Sequence, residues 1–318
     1  ADLTGRSTHG VSRLPTYVER IRSGLINPSP QVAWQQTGAL SSVDGDNGLG
    51  PVAAWQAVEL AMDRARVLGV GLSLVKDSNH CGALSAYCDA AARQGFVLLA
   101  LTNASPAMPP WGGKTPIFGT NPIALGFPRQ PTDAPLVIDL ATSVVARGHI
   151  FEALRRGESI PAHWAIDQAG NPTTDPQAAL LGAVLPMGGA KGYALALIVD
   201  LLSGVLSGAG YGSLVGSIRP EDGQIGNVGH FFLAINPQML ASAEVMRERL
   251  AVLEQEIYAA AATDAQHPVR LPGDRAQKEY AQQKQHGIRL DQPLIAGLQQ
   301  LAKDVGAPAL QVVEEKSG

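Results

Sequence analysis

Two successive helix–strand units are the feature that most limits how this chain can fold. The segment GPVAAWQAVELAMDRARVLG at 50–69 places apolar residues at helical spacing and ends at glycine, and the apolar run VGLSLV at 70–75 follows it. The same order recurs as ALSAYCDAAARQG at 83–95 and FVLLALTN at 96–103. A helix followed by a buried strand, twice in succession, predicts a layered α/β fold.

The remaining apolar patterns predict further elements. The run GYALALIVDLLSGVLSGAG at 192–210 contains Asp200 and several glycines, so it is predicted to be a buried core helix and not a membrane span. We also predict strands over 122–128, 135–142 and 227–237, a turn around Gln130–Asp133, helices from about Gln238 to Ala261 and from about Leu294 to Gly306, and a frayed tail EEKSG.

Composition restricts the partners of the chain. With 318 residues and 45% hydrophobic content, the chain can bury a full core, which excludes a disordered protein. The net charge of −4 indicates neither a nucleic-acid partner nor a membrane partner, so local cations must attract any small anionic substrate. Cys81 and Cys88 indicate no disulfide framework and match no zinc pattern; no metal site is predicted.

The first residues carry no secretory signal pattern. No charged leader precedes a short apolar run, and together with the two cysteines this predicts a cytoplasmic protein. The opening ADLTGRSTHG has the character of sequence from within a domain, so we expect a helix to precede it.

Among the seven histidines, His9 has the most suggestive neighbours. If THGVSR begins a helix capped by Ser7 or Thr8, His9 and Arg13 lie on one face. A guanidinium that binds a carboxylate beside an imidazole that donates a proton would suit a 2-oxo acid. The plainer interpretation is a surface helix start. Structural roles are predicted for the other histidines outside the NHCG motif, with His230 in a strand core and His163, His267 and His286 in polar loops.

Two glycine-containing turns are candidate anion sites. NHCG at 79–82 lies between a predicted strand and a predicted helix, where free backbone N–H groups can bind a pyrophosphate. GGAKG at 188–192 precedes another helix and carries Lys191, a candidate phosphate or ribose contact. No GxGxxG follows any predicted strand, which disfavours a Rossmann domain, and no P-loop pattern is present.

Ordered motifs run from the first residues to about Arg275. They read HGVSRLPTYVERIRSG, VDGDNGLG, DSNHCGA, TNASPAMPPWGGKTPIFGTNPIA, DLATSVVARG, PTTDP, LPMGGAKGYALALIVDLLSGVLSG, NVGHFFLAI and RLPGD. Together they resemble the malate/L-lactate dehydrogenase family of NAD(P)-dependent oxidoreductases that lack a Rossmann fold. Other enzymes of the family act on ureidoglycolate, sulfolactate and diketogulonate, and some reduce Δ1-piperideine-2-carboxylate or Δ1-pyrroline-2-carboxylate.

The resemblance implies an α/β (α+β) fold with a largely antiparallel cofactor-binding sheet and a helical domain that closes over the substrate. It also implies a homodimer. We expect residues 1–76 and 210–318 to form the substrate and dimerisation domain, and residues 77–209 to form the NAD(P)-binding domain.

The resemblance also implies the roles of single residues. His9 would be the proton donor, oriented by Thr8, and His80 is a second acid–base candidate. Arg13 and Thr120 would bind a small carboxylate substrate. The nicotinamide cofactor, NAD or NADP, would contact His80, Gly82, Ala83, Leu84, Asp139, Leu140, Ala141, Lys191, Gly273 and Asp274.

Two positions depart from the family pattern. Many relatives have serine where this chain has Thr8, which keeps a hydroxyl beside the imidazole. In the cyclic-imine reductases an aspartate that helps to hold the histidine corresponds to His149, which weakens that assignment.

The sequence therefore predicts hydride transfer to C2 of a 2-oxo acid of the malate, lactate or sulfolactate type. The alternative within enzymes is reduction of Δ1-pyrroline-2-carboxylate or Δ1-piperideine-2-carboxylate to proline or pipecolate. A catalytically silent dinucleotide-binding protein is the alternative from another class, and His9, Arg13 and Thr120 together argue against it.

Overall fold

The computed structural model describes residues 1–240, 242–264 and 266–312, and the strands in this part of the chain form two sheets. These strands are β1 (Ala33–Thr37), β2 (Leu40–Asp44), β3 (Val70–Ser78), β4 (Val97–Thr102), β5 (Ile123–Phe127), β6 (Leu136–Leu140), β7 (Ala165–Ile166), β8 (Ala183–Val184) and β9 (Val228–Ile235). The five strands predicted from the sequence are confirmed as β3, β4, β5, β6 and β9.

The main sheet has the strand order β1-β2-β3-β9-β4-β5-β6, and β7 pairs separately with β8. Its neighbouring strands are antiparallel except β2 and β3, which confirms the predicted largely antiparallel fold. Since β3 and β4 both pair antiparallel with β9, they run in the same direction. Their carboxyl ends therefore lie at one edge of the sheet, on either side of the start of β9.

The helices are mostly amphipathic and alternate with the strands. They are α1 (Leu14–Arg22), α2 (Gly50–Leu68), α3 (Leu84–Arg93), α4 (Arg147–Arg156), α5 (Pro176–Leu181), α6 (Ala190–Asp200), α7 (Ala243–Ala259), α8 (Asp274–His286) and α9 (Gln292–Asp304). The predicted helices over 50–69 and 83–95 are confirmed as α2 and α3.

The main core lies where α2 and α3 pack on the sheet. Ala57 and Ala61 of α2 are fully buried, and their small side chains let the helix approach the strands closely. Leu98 and Phe232 fill the facing positions and are also fully buried. Burying a side chain of that size contributes about 1.5–3 kcal/mol. The helix ends at Gly69, whose φ of 84° favours glycine.

A second apolar cluster joins α4, α5 and α6. Ile150, Val184 and Ala196 are buried at its centre, and Phe118 packs edge-on against Tyr193 with ring centroids 5.6 Å apart. This cluster fixes the start of α4 and the start of α6 beside the sheet.

The prediction of a buried core helix over 192–210 is wrong in part. α6 ends at Asp200, and a π-helical turn continues over Leu201–Val205. One side is buried through Ala196 and Val199, but the opposite side leaves Ile198, Leu201 and Val205 exposed by 48%, 47% and 51%. The run is apolar all round because it has two apolar faces, of which the core covers one.

The other helix boundaries shift by a few residues. The predicted helix from Gln238 begins at Ala243, because Asn236 accepts a hydrogen bond from the Gln238 amide and starts a separate 3-10 turn over Pro237–Met239. The final helix, α9, begins at Gln292 and ends at Asp304. The predicted tail EEKSG lies outside the described residues.

The predicted division into two domains stays a prediction. The proposed boundary after residue 76 falls inside β3, and the main sheet takes strands from both predicted segments. Of the helices that the structure describes, none is long and apolar enough to cross a membrane.

Candidate active site

A cavity of about 180 Å³ lies at the sheet edge where β3 and β4 end and β9 begins. The turn after β3, the first residues of the chain, the start of α4 and the segment 216–219 all contribute to its walls. It brings together six of the residues predicted from the sequence, namely Thr8, His9, Arg13, His80, Gly82 and Thr120.

His9 and Arg13 lie on two separate 3-10 turns, Ser7–His9 and Val11–Arg13, and not on one α-helix. The predicted capping by Ser7 or Thr8 is therefore wrong. Gly10 interrupts the helix with an extended ψ of −145°, and the Asp2 carboxylate accepts a hydrogen bond from the Val11 amide at 2.9 Å. Both side chains nevertheless face the cavity.

Thr8 contacts His9 as the sequence suggests. Its Oγ1 lies 2.9 Å from His9 Nδ1, so this hydroxyl occupies one ring nitrogen and leaves Nε2 without a hydrogen bond among the described residues. The Thr8 carbonyl in turn accepts a hydrogen bond of 2.6 Å from Arg13 Nε. One residue thus orients both the imidazole and the guanidinium.

The Arg13 guanidinium keeps its outer edge free. Its Nη1 and Nη2 have no hydrogen-bond acceptor within the described part of the chain. Burial lowers the pKa of Arg13 from its usual value. A partly buried guanidinium with two unused donors fits a carboxylate in a bidentate arrangement.

His80 follows β3 and stacks on His9, with ring centroids 5.4 Å apart. Its Nδ1 accepts hydrogen bonds from the Tyr17 hydroxyl at 2.6 Å and from the Gly82 amide at 3.3 Å. With Nδ1 used as an acceptor, the neutral ring carries its proton on Nε2. The neighbouring Asn79 fixes the turn through a 2.8 Å bond to the Gly48 carbonyl.

Both imidazoles are neutral at pH 7 in this structure. Burial, helped by the Arg13 charge, lowers the pKa of His9 to about 4. Burial, with His9 and Arg13 nearby, also holds the pKa of His80 well below its usual value. The pKa of His9 lies below that of a free imidazole because burial and a neighbouring cation both disfavour the imidazolium.

Gly82, Ala83 and Leu84 connect His80 to α3. Gly82 has a φ of 80°, and a Cβ there would lie 4.0 Å from the His9 carbonyl, so a larger residue would narrow the cavity. Leu84 is buried in the main core, which leaves only its backbone available to a ligand.

The amino end of α3 is less open to a pyrophosphate than the sequence suggested. Asp139 Oδ2 accepts a hydrogen bond of 3.0 Å from the Ser85 amide and forms an ion pair of 2.7 Å with Arg6. A carboxylate from β6 therefore already binds a helix-terminal donor. Leu140 and Ala141 follow on the same strand end, and the Leu140 side chain is 40% exposed.

The remaining predicted cofactor residues lie away from this cavity. Gly273 lines a second cavity of about 430 Å³, beside Arg6 and Val137. Asp274 caps the loop before α8 by accepting from the Leu271 amide at 2.8 Å. Lys191 is exposed on the first turn of α6 and lines neither cavity.

Sequence reasoning missed several cavity residues. Tyr17 continues the four-residue spacing of His9 and Arg13, which was a usable signal. For the others the local sequence does not show that they face one cavity, and they meet only in the folded chain, namely Arg20, Asn79, Asn103, Arg147 and Arg219.

The other histidines take structural or surface positions. His230 is fully buried, with Nδ1 2.7 Å from Thr102 Oγ1 and Nε2 2.9 Å from Ser78 Oγ, which confirms a satisfied core histidine. His149 is exposed and lies 3.8 Å from Glu152. It does not contact His9, so nothing replaces the aspartate of the imine reductases at this position. The polar loop positions predicted for His163 and His267 are confirmed, and both side chains are exposed. The loop position predicted for His286 is wrong, because this exposed residue is the last one of α8.

The two cavities differ in character. The first presents two stacked imidazoles and Gly82, and the second is larger and is lined by Arg6, the ion-pair partner of Asp139. Among the described residues, no group of three or more His, Cys, Asp or Glu side chains could hold a metal ion.

A model of the malate/L-lactate dehydrogenase family matches residues 1–299. The chain belongs to the malate/L-lactate dehydrogenase family. The resemblance seen in the sequence is thus confirmed, and the protein is an oxidoreductase.

Characterised relatives support this membership of the malate/L-lactate dehydrogenase family. The chain is 41% identical over 293 residues to the (2R)-3-sulfolactate dehydrogenase (NADP(+)) of Chromohalobacter salexigens, covering 92% of this chain and 84% of the relative. It is 37% identical over 274 residues to the ureidoglycolate dehydrogenase (NAD(+)) of Escherichia coli, covering 86% of this chain and 78% of the relative.

Solved structures show the same fold. The sulfolactate dehydrogenase from Methanocaldococcus jannaschii superposes with a TM-score of 0.88 at 36% identity, covering 96% of this chain and 88% of the other. The Δ1-piperideine-2-carboxylate reductase from Pseudomonas syringae pv. tomato gives a TM-score of 0.83 at 35% identity, with coverages of 95% and 89%. The family thus includes both dehydrogenases of 2-hydroxy acids and a reductase.

Proposed function

We propose that this protein interconverts a 2-oxo acid and the corresponding 2-hydroxy acid with NAD(P)H or NAD(P)⁺. The observation that carries the proposal is the open edge of the Arg13 guanidinium in the same cavity as the stacked imidazoles of His9 and His80. Carboxylate binding and proton transfer at adjacent positions are what this reaction needs.

Arg13 positions the substrate. Its two free Nη donors bind the C1 carboxylate, and its Nε bond to the Thr8 carbonyl keeps the guanidinium plane fixed. Thr120, which lines the same cavity, contacts the substrate and limits how it rotates. Holding the reacting atoms in a productive orientation can supply up to about 7–11 kcal/mol of barrier lowering.

His9 moves the proton at its Nε2. In oxidation the neutral ring accepts the proton of the C2 hydroxyl, and in reduction the imidazolium donates it to the C2 oxygen. The substrate carboxylate offsets the Arg13 charge, which favours protonation of His9 when substrate is bound. A nicotinamide cofactor supplies or accepts the hydride at C2.

His80, which stacks on His9, assists the reaction as a hydrogen-bond donor. Because Tyr17 and Gly82 occupy its Nδ1, its Nε2–H donates a hydrogen bond into the cavity. This donor stabilises negative charge that develops on the C2 oxygen. An acid–base role for His80 is the alternative assignment of the two rings.

We propose that His80, Gly82 and the backbone of Ala83 and Leu84 hold the nicotinamide end of the cofactor. The rest extends past the Asp139–Ala141 strand end to the second cavity at Gly273 and Asp274. Lys191 would contact it from the start of α6. Both NAD and NADP stay possible, since one relative is named for each.

Reduction of a cyclic imine is the second candidate, and the likeness to the piperideine-2-carboxylate reductase favours it. The exposed position of His149 argues against it, because no carboxylate stands at that position to hold the imidazole. We further propose that the protein is a cytoplasmic homodimer, in which both free cysteines stay reduced.

The substitution His9→Ala tests the proposal. We expect the turnover number for oxo acid reduction to fall by roughly 10²-fold or more, because a positioned acid–base group contributes about that factor. Binding of NADH and NADPH, measured by fluorescence, should stay nearly unchanged. The matched control is His163→Ala, an exposed loop histidine that should leave both quantities unaltered. Equal loss of cofactor binding in His9→Ala would contradict a proton-transfer role.

A further inference from the structure

Asp200 is a buried carboxylate that the proposed mechanism does not use. It is the last residue of α6, it is 4% exposed, and no lysine, arginine or histidine of the described chain forms an ion pair with it. Burial raises the pKa of Asp200, and hydrogen bonds from Gly212, Asn121 and Asn103 oppose the rise. Burying a carboxylate without a cation is costly, so its presence here calls for a role that a neutral side chain cannot fill.

The two carboxylate oxygens of Asp200 accept hydrogen bonds from two different loops. Oδ2 accepts from the Gly212 amide at 2.7 Å, and Oδ1 accepts from Asn121 Nδ2 at 3.4 Å. An ionised carboxylate has two acceptor oxygens and no donor, so it can bind both loops at once. A carboxamide at this position would accept with its one oxygen and would point N–H groups at the donor of the other loop.

The loop that contains Asn121 brings Thr120 to the cavity. Asn121 is fully buried and has a φ of 29°, a conformation that residues other than glycine rarely adopt. Its side chain accepts from the Ala104 amide at 3.2 Å and donates to the Ala196 carbonyl at 2.9 Å. Backbone strain of this kind persists where the surrounding contacts impose it, and it clusters at functional sites. Thr120, the preceding residue, lines the cavity.

Further contacts fix the backbone on either side of Thr120. The Thr120 carbonyl accepts from the Thr142 amide at 2.9 Å and from the Thr142 hydroxyl at 3.0 Å. A Cβ at Gly119 would lie 2.3 Å from the Ala104 carbonyl oxygen, so the turn packs directly against the chain that leaves β4. These contacts use the backbone of the turn, and the Thr120 hydroxyl has no hydrogen-bond partner among the described residues. The hydroxyl is therefore available to a ligand.

The loop that contains Gly212 leads into another part of the same cavity wall. Residues 216–219 line the cavity, and Arg20 holds them by donating to the Ser217 carbonyl at 2.8 Å. Gly212 has a φ of 51°, which favours glycine, and a Cβ there would lie 3.3 Å from Ile117 Cγ2. The two loops that Asp200 binds are thus in contact with each other as well.

We propose that Asp200 is a positioning residue that holds Thr120 against the substrate. Its carboxylate connects the Thr120 turn to the segment 212–219, so these two parts of the cavity wall keep their spacing while the substrate is bound. This inference rests on the proposed function, in which Thr120 contacts the substrate. Asp200 acts through Thr120 and takes no part in proton or hydride transfer.

A double-mutant cycle tests whether Asp200 acts through Thr120. KM and kcat are measured for oxaloacetate and for pyruvate, with NADH and with NADPH. Thr120→Val should raise KM by about 10-fold and Asp200→Asn by about 5-fold, because each removes a hydrogen bond, and kcat should change by less than about 3-fold. The double variant should match Thr120→Val within about 2-fold, whereas independent effects would multiply to roughly 50-fold.

Hydrogen exchange, measured by mass spectrometry, gives a readout that does not depend on activity. Asp200→Asn should speed amide exchange by about 10-fold or more in at least one of the segments 117–123 and 211–219, because a carboxamide cannot accept from both loops. The matched control is Ser203→Ala, on the π-helical turn that follows α6. Ser203 is buried and its hydroxyl has no hydrogen-bond partner in the described structure, so this variant should leave KM and exchange unaltered.

The outcomes separate this inference from the proposed function. Multiplied effects in the double variant, or unchanged exchange in both segments, would overturn the role of Asp200 while reduction of either oxo acid keeps the proposed function. Reduction of neither oxo acid by the unaltered protein would overturn the proposed function and, with it, the role through Thr120. If Asp200→Asn does not fold, Asn121→Gly removes the link from its other end in the same cycle, since glycine tolerates the φ of this position.

Discussion

Thr8 connects the two groups on which the proposed chemistry depends. Its hydroxyl lies on His9 and its carbonyl binds Arg13, so the imidazole and the guanidinium are held relative to one backbone unit. The same proximity couples their charges. Arg13 contributes to the low pKa of His9, which is about 4 in this structure. Substrate binding and protonation of His9 are therefore linked, because a carboxylate on Arg13 removes part of that effect.

This coupling predicts a change in the pH profile of Arg13 variants. Removing the cation favours the imidazolium, so Arg13→Gln should raise the pKa of His9. For hydroxy acid oxidation, kcat/KM in the unaltered protein should be flat from about pH 8 down to about pH 5, because His9 stays neutral. In Arg13→Gln the fall of kcat/KM that accompanies protonation of His9 should move up into this pH range.

The control for this prediction is Arg13→Lys, which keeps the charge while losing the bidentate geometry. It should raise the KM for the substrate without moving the pH at which kcat/KM falls. If kcat/KM falls at the same acid pH in Arg13→Gln and in Arg13→Lys, the result would contradict charge coupling between Arg13 and His9.

Among the elements, α6 and its π-helical extension carry an apolar face that the described chain does not cover. Ile198, Leu201 and Val205 follow helical spacing and are each about half exposed. Leu206 is exposed by 56% beside them. Contiguous apolar surface of this kind marks interaction sites. A second copy of the chain is the partner that we expect here, in line with the homodimer proposed above.

This surface predicts the effect of charge on the oligomeric state. The double substitution Leu201→Lys and Val205→Lys should shift the mass in solution from dimer to monomer, measured by light scattering after size exclusion. A lysine pair would bury unpaired cations in such an interface. Ile288→Lys, at an exposed apolar position outside α6, is the control and should leave the mass unchanged. A dimer that persists in the double variant would place the interface elsewhere.

Helices with a clear apolar period were predictable from the sequence, and those without one were not. α2 has alanine and leucine at helical spacing and ends at Gly69, so both its extent and its stop could be predicted. α8 is almost entirely polar, with Ala276, Tyr280 and Ala281 as its few apolar residues, and gives no periodic signal. The short strands β1 and β2 were missed for a related reason. β1 is the edge strand of the sheet and is largely exposed, and β2 beside it is only five residues long.

Some residues of the candidate site were predictable from local sequence, and others were not. His9, Arg13 and His80 lie in motifs, so local sequence located them. Arg147 belongs to a motif as well, but the fold alone shows that it lines the same cavity as His9, because α4 and the first residues of the chain meet through Gly148 and Thr8. The pKa of His9 was equally out of reach. It depends on burial, which no local pattern reports.

At the scale of the whole molecule, three histidines with lowered pKa values make stability depend on pH. Burial lowers the pKa of His230 to about 3, that of His9 to about 4, and that of His80 well below its usual value. In the His230 network, the Thr102 hydroxyl donates to the Gly229 carbonyl at 3.0 Å and accepts from Nδ1. Ser78 Oγ lies 2.9 Å from Nε2, so both nitrogens of the neutral ring have a hydrogen-bond partner.

The sign of the effect follows from where the protons bind. In the unfolded chain each histidine takes up a proton as the pH falls through about 6.5, whereas the folded chain resists this down to the lowered pKa. Unfolding is therefore favoured by acid, and the free energy of unfolding should begin to fall below about pH 6.5. Three such groups give a limiting slope of about 4 kcal/mol per pH unit. The raised pKa of Asp200, caused by burial, acts in the opposite direction and offsets part of it.

Urea unfolding at about pH 7, 6 and 5 measures this dependence. The slope of the unfolding free energy against urea concentration should be the same at each pH, which checks two-state behaviour. His230→Gln removes one titrating group and should reduce the pH slope by about a third relative to the unaltered protein. If that variant does not fold, His9→Gln makes the same one-proton test at the cavity. His267→Gln, an exposed histidine, should leave the slope unchanged. A midpoint that stays constant from pH 7 to pH 5 would mean that these rings are protonated in the folded chain, and the proton-transfer assignment of His9 would then need the imidazolium as its resting form.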